Sequence, residues 1–463
     1  MVYKKWFHKS VKRLLAETNA EDPIVVIKDR ARSLVLDALE KGWTGPPFDA
    51  LELSRLLGIE TIPNDSIFDA RILPIKKESF IIEYNPFQRA TRLNFSLAHE
   101  IAHTLFSDCA NEIRNRELEP NENRELEQLC NIAASEIQLP YAFFSNDANS
   151  INEINIENLV SLATKYRASF ESLLLRFIDV VDKPCAIMIC QFNDKTELEI
   201  EYSKQSFTFP KKIPSDFKIP KHSKAYDCIS PGWSSRESTS WGFLDGVWNI
   251  HFIGLTPLRK DKRARVGVII SPSKENVHLQ ANKIQIEFGD ATKPRGVGAK
   301  IIVQVVNTSA ALGMGFGKSL SKNYPIVKES LVSWKKRKAD FVLGKTQSIE
   351  VGKGIYVFQM LAQNGIFSTN GEIPLKYTSL RNCLRELAVF AIQKKATIHM
   401  PMIGAGQGKG NWEIIFGMIH DELVSKNLLV NIYMLPGKSY SFKSKSTLIN
   451  FKEESTWQIA KSY

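Results

Sequence analysis

Two histidines four residues apart, His99 and His103, bracket Glu100 in the run Arg92-Leu93-Asn94-Phe95-Ser96-Leu97-Ala98-His99-Glu100-Ile101-Ala102-His103. On a helix that spacing sets both imidazoles on one face, one turn apart, where they can point at a single ion. Glu100 lies next to them and could take a proton from water held at that ion. The pattern is that of a hydrolytic zinc site, and chance yields it in a chain of this length about once in a hundred. Such a site needs a third protein ligand and an open fourth position. The acids that follow are Glu112, Glu117, Glu119, Glu122, Glu125, Glu127 and Glu136. Glu127 stands out because it opens an apolar stretch, Leu129-Cys130-Asn131-Ile132-Ala133-Ala134, able to pack beside the motif helix. The same position equally suits a carboxylate favoured by a helix N-terminus.

The elements that must position this motif are legible in outline. Residues 1–22 are basic and weakly amphipathic, a helix or a loose arm. Ala31, Leu34, Val35, Leu36 and Leu39 predict a helix from Lys28 to Lys41. Gly42-Trp43-Thr44-Gly45-Pro46-Pro47 ends it, and Asp49 can cap a short helix through Leu57. Strands are predicted at Ile59–Ile62, Phe68–Leu73 and Phe80–Tyr84, with Asn85-Pro86 turning the chain into the motif helix. Asn131 and Arg92 suit either second contacts to the metal ligands or plain structural hydrogen bonds. Two helices, around Asn158–Ala163 and Ser169–Phe177, admit a helix-turn-helix reading but lack a basic recognition face.

From Cys185 the pattern becomes strands: Cys185–Phe192, Leu198–Tyr202, Trp248–Leu255 and Val266–Ile270. Ser206–Trp241 is rich in Pro, Ser and Lys and is expected to be mostly loop. His222, His251 and Cys228 lack metal-ligand spacing and are read as structural. The run Arg259-Lys260-Asp261-Lys262-Arg263-Ala264-Arg265 reads as a solvated hairpin tip that could meet phosphates, and Ser271–Asn276 as a linker. Further on, strands at Ile284–Phe288, Lys300–Val306 and Thr397–Met402 lead into glycine-bearing segments. One is Gly313-Met314-Gly315-Phe316-Gly317 before a helix from Lys318; the other is Gly404-Ala405-Gly406-Gln407-Gly408-Lys409-Gly410. Two such loops after parallel strands suggest a diphosphate held at the carboxyl edge of a sheet.

Two resemblances sharpen these readings. Gly42-Trp43-x-Gly45-Pro46-Pro47-Phe48, Tyr84-Asn85-Pro86, Arg92-x-x-Phe95-x-x-Ala98-His99-Glu100-x-x-His103 and Glu127-x-x-Cys130-Asn131-x-Ala133-Ala134-x-Glu136-x-x-Leu139-Pro140 together resemble ImmA/IrrE-type metallopeptidases over residues 25–180. The resemblance implies that His99, His103 and Glu127 hold zinc and that Glu100 is the general base. Members of that family are zinc proteases of bacteria and their phages, often cutting helix-turn-helix repressors. Gly289-Asp290-Ala291-Thr292-x-Pro294, Ile301-Ile302-x-x-Val305-Val306-Asn307, Gly313-x-Gly315-Phe316, Phe341-x-Leu343-Gly344, Ala362-Gln363-x-Gly365, Tyr377-x-x-Leu380 and His399-Met400-Pro401-x-Ile403-Gly404-x-Gly406 resemble the macro domain, an ADP-ribose-binding fold. That implies Asp290, with Ala291 beside it, at the adenine amino group and Asn307 at the distal ribose. Gly313, Gly315 and Phe316 would meet the diphosphate together with Gly404, Ala405, Gly406, Gln407 and Gly408. Thr308 and Met402 stand where relatives often carry aspartate and arginine. There is no lysine in Ala362–Gly365 and no acid in the second loop, so binding is favoured over removal of ADP-ribose.

The fold class expected is therefore an α+β zincin-like metallopeptidase over 1–182, a mainly-β middle unit and linker over 183–282, an α/β three-layer macro domain over 283–440 and a basic tail over 441–463. Sixty-one Lys and Arg against 50 Asp and Glu give a net charge of +11, which suits a polyanionic partner or simply a soluble surface. Cys109, Cys130, Cys185, Cys190, Cys228 and Cys383 form no Cys-x-x-Cys pair and several sit in apolar runs, as expected of reduced thiols. No apolar segment of signal-peptide or membrane-spanning kind is present, so a cytoplasmic protein with no membrane partner is expected. The reading that unites these signals is a zinc endopeptidase acting on a repressor or a co-encoded partner, gated or targeted through ADP-ribose or a related nucleotide, in stress response or phage defence. Nucleic acid is a possible but not a required partner. The rivals are an ADP-ribosyl hydrolase with an accessory peptidase domain, and a non-catalytic DNA-binding regulator.

Overall fold

The computed structural model describes residues 6–76, 79–111, 124–258, 262–273, 284–312, 315–368 and 372–434. The chain divides into two compact units: Met1–Ala38, Gly42–Pro140 and Asp147–Gln280 form the first, and Leu39–Lys41, Tyr141–Asn146 and Ala281–Tyr463 the second. The alternation of helices and sheets makes the whole a mixed α/β protein with several sheets.

The first unit begins with α1 (Lys9–Thr18) and α2 (Pro23–Glu40). Helix α2 starts five residues earlier than Lys28, because Pro23 at the first helical position has no N–H to leave unbonded and a φ already suited to a helix. Helix α3 (Ala50–Leu56) is capped by Asp49, whose Oδ1 accepts from Leu51 N at 2.8 Å and Glu52 N at 3.2 Å. Strands β1 (Glu60–Pro63), β2 (Ala70–Lys76) and β3 (Ser79–Tyr84) form a sheet of order β1-β3-β2, parallel between β1 and β3 and antiparallel between β2 and β3. Then come α4 (Ala90–His103), α5 (Arg124–Gln138), α6 (Tyr141–Ser150), of which only the part from Asp147 on belongs to this unit, α7 (Ile156–Lys165) and α8 (Phe170–Val180). Helix α6 is an addition to the elements expected from the sequence. Asn155 and Ser169 cap α7 and α8 by accepting from Asn158 N and Ser172 N.

Helices α1, α2, α4 and α5 share one core of Val11, Leu14, Ile27, Ala31, Ala102, Phe106, Leu126, Leu129, Cys130 and Ala133. Each buried leucine there is worth about 2–5 kcal/mol against truncation to alanine. The turn at 42–48 is hooked to α4 by Asn94, which accepts from Ala50 N at 2.8 Å and donates to Phe48 O at 3.0 Å. Trp43 is buried, its Nε1 donating to Asp49 O at 3.0 Å and its ring 5.1 Å from that of Phe48. A Cβ at Gly45 would stand 2.6 Å from the Phe48 ring, so only glycine lets this aromatic pair close.

The same unit carries β4 (Ala186–Phe192), β5 (Leu198–Gln205), β6 (Ser234–Thr239), β7 (Trp248–Leu255) and β8 (Arg265–Pro272) in an antiparallel sheet of order β5-β4-β8-β7-β6. The expectation that 206–241 is mostly loop holds, with β6 as a short strand within it. The β6 residues Ser-Ser-Arg-Glu-Ser-Thr give no hydrophobic alternation, and pairing with β7 at the sheet edge makes them a strand. Arg265, read as part of a solvated tip, is instead buried. Its guanidinium bonds Glu201 at 2.7–3.2 Å and Glu171 of α8 at 2.9 and 3.0 Å, clasping the sheet to that helix. Residues 259–261 of that run, and 274–276 of the expected linker, lie outside the described residues. Helix α8 buries Leu173, Leu174, Phe177 and Ile178 and packs on β4 and β5.

The second unit contains β9 (Ile284–Phe288), β10 (Lys300–Asn307), α9 (Gly315–Asn323), α10 (Ile326–Lys336), β11 (Thr346–Gly352), β12 (Ile355–Gln363), α11 (Tyr377–Lys394), β13 (Thr397–Pro401), α12 (Trp412–Glu422) and β14 (Val430–Met434). Helix α9 starts at Gly315, before the expected Lys318, and β13 stops one residue short of Met402. The sheet order is β11-β12-β10-β13-β14-β9, all parallel except the β11–β12 pair. Continuous buried runs in β10, β12 and β14 mark strands covered on both faces. Ile302, Val306, Val357 and Leu361 meet α9 and α10 through Leu320, Val327, Leu331 and Trp334. The expected basic tail, 441–463, lies outside the described residues.

Candidate functional site

Helix α4 places His99, Glu100 and His103 in the buried interior of the first unit, at 0%, 2% and 2% exposure. Helix α5 packs against it and brings Glu127 across: His99 Nε2 lies 3.0 Å from Glu127 Oε2, and His103 Nε2 lies 3.6 Å from Glu127 Oε1. Of the acids that follow the motif, Glu112, Glu117, Glu119 and Glu122 lie outside the described residues. Glu125 turns to the chain start, accepting from Phe7 N and His8 N at 2.8 and 2.9 Å. Glu136 is held by Arg32 and Arg176.

The two imidazoles are also gripped from behind. His99 Nδ1 lies 2.9 Å from Asn131 Oδ1, and His103 Nδ1 lies 3.3 Å from Cys130 Sγ. His99, His103 and Cys130 form a buried group with ligand atoms within 4.8 Å of one another, compatible with a metal. A carboxylate oxygen and two imidazole nitrogens converging in this way are a donor set that suits a divalent metal such as zinc. Arg92, one of the two residues with alternative roles, pairs with the buried Asp69, which also accepts from Ser96. It thus ties α4 to the approach to β2 rather than reaching Glu127.

Glu136 and Arg176 are 1% and 2% exposed and form a two-point pair, Nη1 to Oε1 at 2.6 Å and Nη2 to Oε2 at 2.5 Å. Arg32 adds Nε and Nη2 bonds at 3.1 Å each. Burial by itself raises the Glu136 pKa, but the two guanidiniums overcome it and hold the carboxyl at about 2. The far end of the helix that presents Glu127 is thereby fastened to α2 and α8. These partners lie 104 and 40 residues away in sequence, and no spacing rule reveals them.

In the second unit, β10, β12, β13, β14 and β9 run parallel, so the segments after their carboxyl ends emerge at one edge of the sheet. Asp290 follows β9, Asn307 closes β10 and Gly404–Gly408 follow β13, so all lie along this edge. Asp290 is exposed, with Oδ1 accepting from Thr292 N at 2.9 Å, and Ala291 is buried. Asn307 is buried, and both ends of its amide engage Ala311: Nδ2 donates to Ala311 O and Oδ1 accepts from Ala311 N, each at 3.1 Å. Its amide shapes the loop after β10. Gly313 lies outside the described residues; Gly315, at φ +57°, opens α9, and Phe316 packs on the core beneath it. Thr308 joins the segments after β10 and β12, its Oγ1 accepting from Gly365 N at 2.9 Å.

The second glycine loop folds on itself, Gly410 N donating to Gly404 O at 3.0 Å and Lys409 N to Gly406 O at 3.1 Å. A Cβ at Gly408 would stand 2.6 Å from Gly404 O, so the closed loop requires glycine there. Ala405 is half-buried and Gly406 and Gln407 are exposed on the same loop. On β13, His399 is buried between Thr397 Oγ1 at 2.8 Å from Nε2 and Tyr433 OH at 3.0 Å from Nδ1. Arg295 N donates to that Tyr433 hydroxyl at 3.2 Å, linking the relay to the 289–295 turn. Burial, and then the Lys300 charge, push His399 down to about 4.

Comparison with known proteins places this geometry in context. The IrrE N-terminal-like domain family matches residues 61–177. An uncharacterized 17.5 kDa protein in the tk-vs intergenic region of Enterobacteria phage T4 is 54% identical over 46 residues, 10% of this chain and 30% of the phage protein. The chain thus spans less than a third of that curated relative. A protein of unknown function from Bacteroides thetaiotaomicron is 38% identical, covering 33% of this chain and 99% of its own, with a TM-score of 0.33. A macrodomain protein from Streptomyces coelicolor is 29% identical, covering 33% of this chain and 98% of its own, with a TM-score of 0.30. The chain is thus similar to the IrrE N-terminal-like domain over residues 61–177, and another part of it is similar to macrodomain proteins.

Proposed function

We propose that the first unit is a zinc-dependent endopeptidase and that the second binds ADP-ribose or a related nucleotide, which gates or targets the cleavage. One observation carries the reading: Glu127 reaches both imidazoles of the motif helix, at 3.0 and 3.6 Å. His99, His103 and Glu127 would hold the metal, which supplies a Lewis acid able to polarise a peptide carbonyl. Glu100, one residue from His99 on the same helix, takes the proton of the attacking water and returns it to the leaving amine. The low exposure of the motif residues supports their work in a dry site, where charge interactions are strong.

At the sheet edge, Asp290 would accept from the adenine amino group, while Asn307, by shaping its loop, and the backbone N–H groups around Gly315 and Gly404–Gly408 would seat the ribose and diphosphate. The substrate would be a regulatory or co-encoded protein, and stress response or phage defence the setting. Six buried free cysteines suit a reducing cytoplasm, and among the described residues no helix is long and apolar enough to cross a membrane. The test is proteome-wide cleavage by the wild type and by Glu100→Gln, each with and without ADP-ribose. Cleavage that depends on Glu100 and responds to ADP-ribose is the expected result. Cleavage unaffected by Glu100→Gln refutes the peptidase reading.

A second reading, a nucleic-acid partner for the same chain, is favoured by the placement of charge. Residues 315–345, spanning α9 and α10, hold eight Lys or Arg against Glu329 and Asp340, a net of six of the eleven excess positive charges. Lys328 and Lys335 lie on one flank of α10, and Lys335 Nζ donates to Ser309 O at 3.0 Å, beside the loop after β10. Binding to an oligonucleotide that weakens with salt, with a slope reduced by Lys328→Gln and Lys336→Gln, would support it. Loss of neither affinity nor slope removes it.

A further inference from the structure

Helix α5 presents Glu127, Cys130 and Asn131 at positions i, i+3 and i+4, a spacing that puts all three on one face. That face meets α4, and each residue addresses a different atom of the histidine pair. Glu127 meets the two Nε2 atoms. Asn131 meets His99 Nδ1 at 2.9 Å and Cys130 meets His103 Nδ1 at 3.3 Å.

We propose that Cys130 and Asn131 are a tandem of positioning residues, one for each imidazole, and that Cys130 orients His103 without itself binding the metal. This rests on the reading of His99, His103 and Glu127 as the ligand set. The Asn131 Oδ1 is an acceptor only, so His99 must carry its proton on Nδ1 and turn the Nε2 lone pair toward Glu127. The Cys130 sulfur, acting as the acceptor of a proton on His103 Nδ1, does the same for His103 in this proposal. The two ring nitrogens of His103 point apart. An ion shared between Cys130 and His103 would have to use Nδ1, whereas one shared with Glu127 uses Nε2. His99, with its Nδ1 taken by Asn131, has only Nε2 to offer, and that atom faces Glu127. The nitrogens that face the Glu127 carboxylate together are thus the two Nε2 atoms, and the thiol lies behind the ring.

The test uses the full-length metal-free chain loaded with cobalt(II), whose spectrum reports its ligands. A cobalt–thiolate bond gives an intense near-ultraviolet charge-transfer band; nitrogen and oxygen ligands give only weak visible bands. The wild type is expected to show the weak bands alone. Cys130→Ala and Asn131→Ala should each bind one equivalent of cobalt with affinity lowered about 10- to 100-fold in competition with a chelator. Cys130→Ser and Asn131→Asp, which keep an acceptor oxygen near Nδ1, should recover most of the loss. Metal-free melting of the alanine variants separates orientation from packing. Recovery by the acceptor variants at unchanged metal-free melting temperature supports the tandem, whereas a loss that tracks the melting temperature overturns it. A thiolate band abolished by Cys130→Ala overturns the role given to Cys130. Unchanged cobalt affinity in both alanine variants, with a large loss in Glu127→Gln, overturns the tandem and leaves the ligand set standing. Cobalt affinity unchanged in Glu127→Gln overturns the ligand set itself, and the tandem with it.

Discussion

Replacing Glu136 by glutamine removes one negative charge from between two guanidiniums. Arg176, 2% exposed, has no route to water, while the Arg32 side chain is 18% exposed and can turn outward. The variant amide offers one acceptor oxygen where the carboxylate offered two, and its NH2 group confronts a guanidinium donor. Breaking one partner of a buried pair costs about 3–5 kcal/mol, because the other charge is left uncompensated. For a unit of this size that lowers the melting temperature by roughly 6–20 °C. Calorimetry of the full-length, metal-free chain should show this shift in one transition and leave the other in place. The acid limb gives a second readout. Glu136 titrates near 2 in the folded protein against an ordinary 4.5, so its stabilisation is fully present above about 4.5 and is lost as pH falls toward 2. In Glu136→Gln that part of the acid dependence disappears. Metal affinity should fall as well, since α5 carries Glu127. The paired change Glu136→Leu with Arg176→Met should recover most of the stability, because it leaves no buried charge. A shift below about 2 °C for Glu136→Gln, or a double variant no better than the single, refutes the reasoning.

Three further outcomes follow from the same structure. His399, pushed down to about 4, is neutral in the folded protein, so the second unit should keep full stability above pH 6.5 and lose on the order of 2–3 kcal/mol as pH falls to 4. His399→Gln should flatten that limb in pH-dependent melts. Arg265→Met leaves Glu171 and Glu201 facing each other without their shared cation and should destabilise the first unit by about 2–4 kcal/mol, read by urea unfolding. Gly408→Ala forces the second glycine loop open and should weaken ADP-ribose binding at least 10-fold by calorimetric titration, at a stability cost of about 1–3 kcal/mol.

Much of the candidate site could be seen in the sequence, because a helix converts spacing into direction. His99 and His103 share a face for that reason, and Asp49, Asn155 and Ser169 sit at helix starts where their side chains can accept backbone N–H groups. Cys130 and Asn131 could have been placed by the same rule once Glu127 was taken as the first of their face. The tertiary pairings had no such signal. Arg265 sat in a run of charges and read as solvated, and its partner Glu171 is 94 residues away. Strand β6 has no apolar alternation, since an edge strand needs only a neighbour with open hydrogen bonds. Asn307 is expected at the ribose by resemblance, and its amide also shapes the loop it begins, bonding Ala311 through both ends, which no spacing rule signals.

Helix α5 faces two ways, and its length is thereby fixed. Glu136 lies nine residues after Glu127, about 180° around the helix, so one side addresses α4 while the other is bolted to α2 and α8. A side chain on this helix can be exchanged with local effect. Inserting or deleting one residue between 128 and 135 would instead rotate one side by about 100° against the other. Either Glu127 would leave the histidines or Glu136 would leave its arginines. Sequences that keep this arrangement should therefore vary along α5 only outside its site, core and arginine-facing positions, and hardly at all in number.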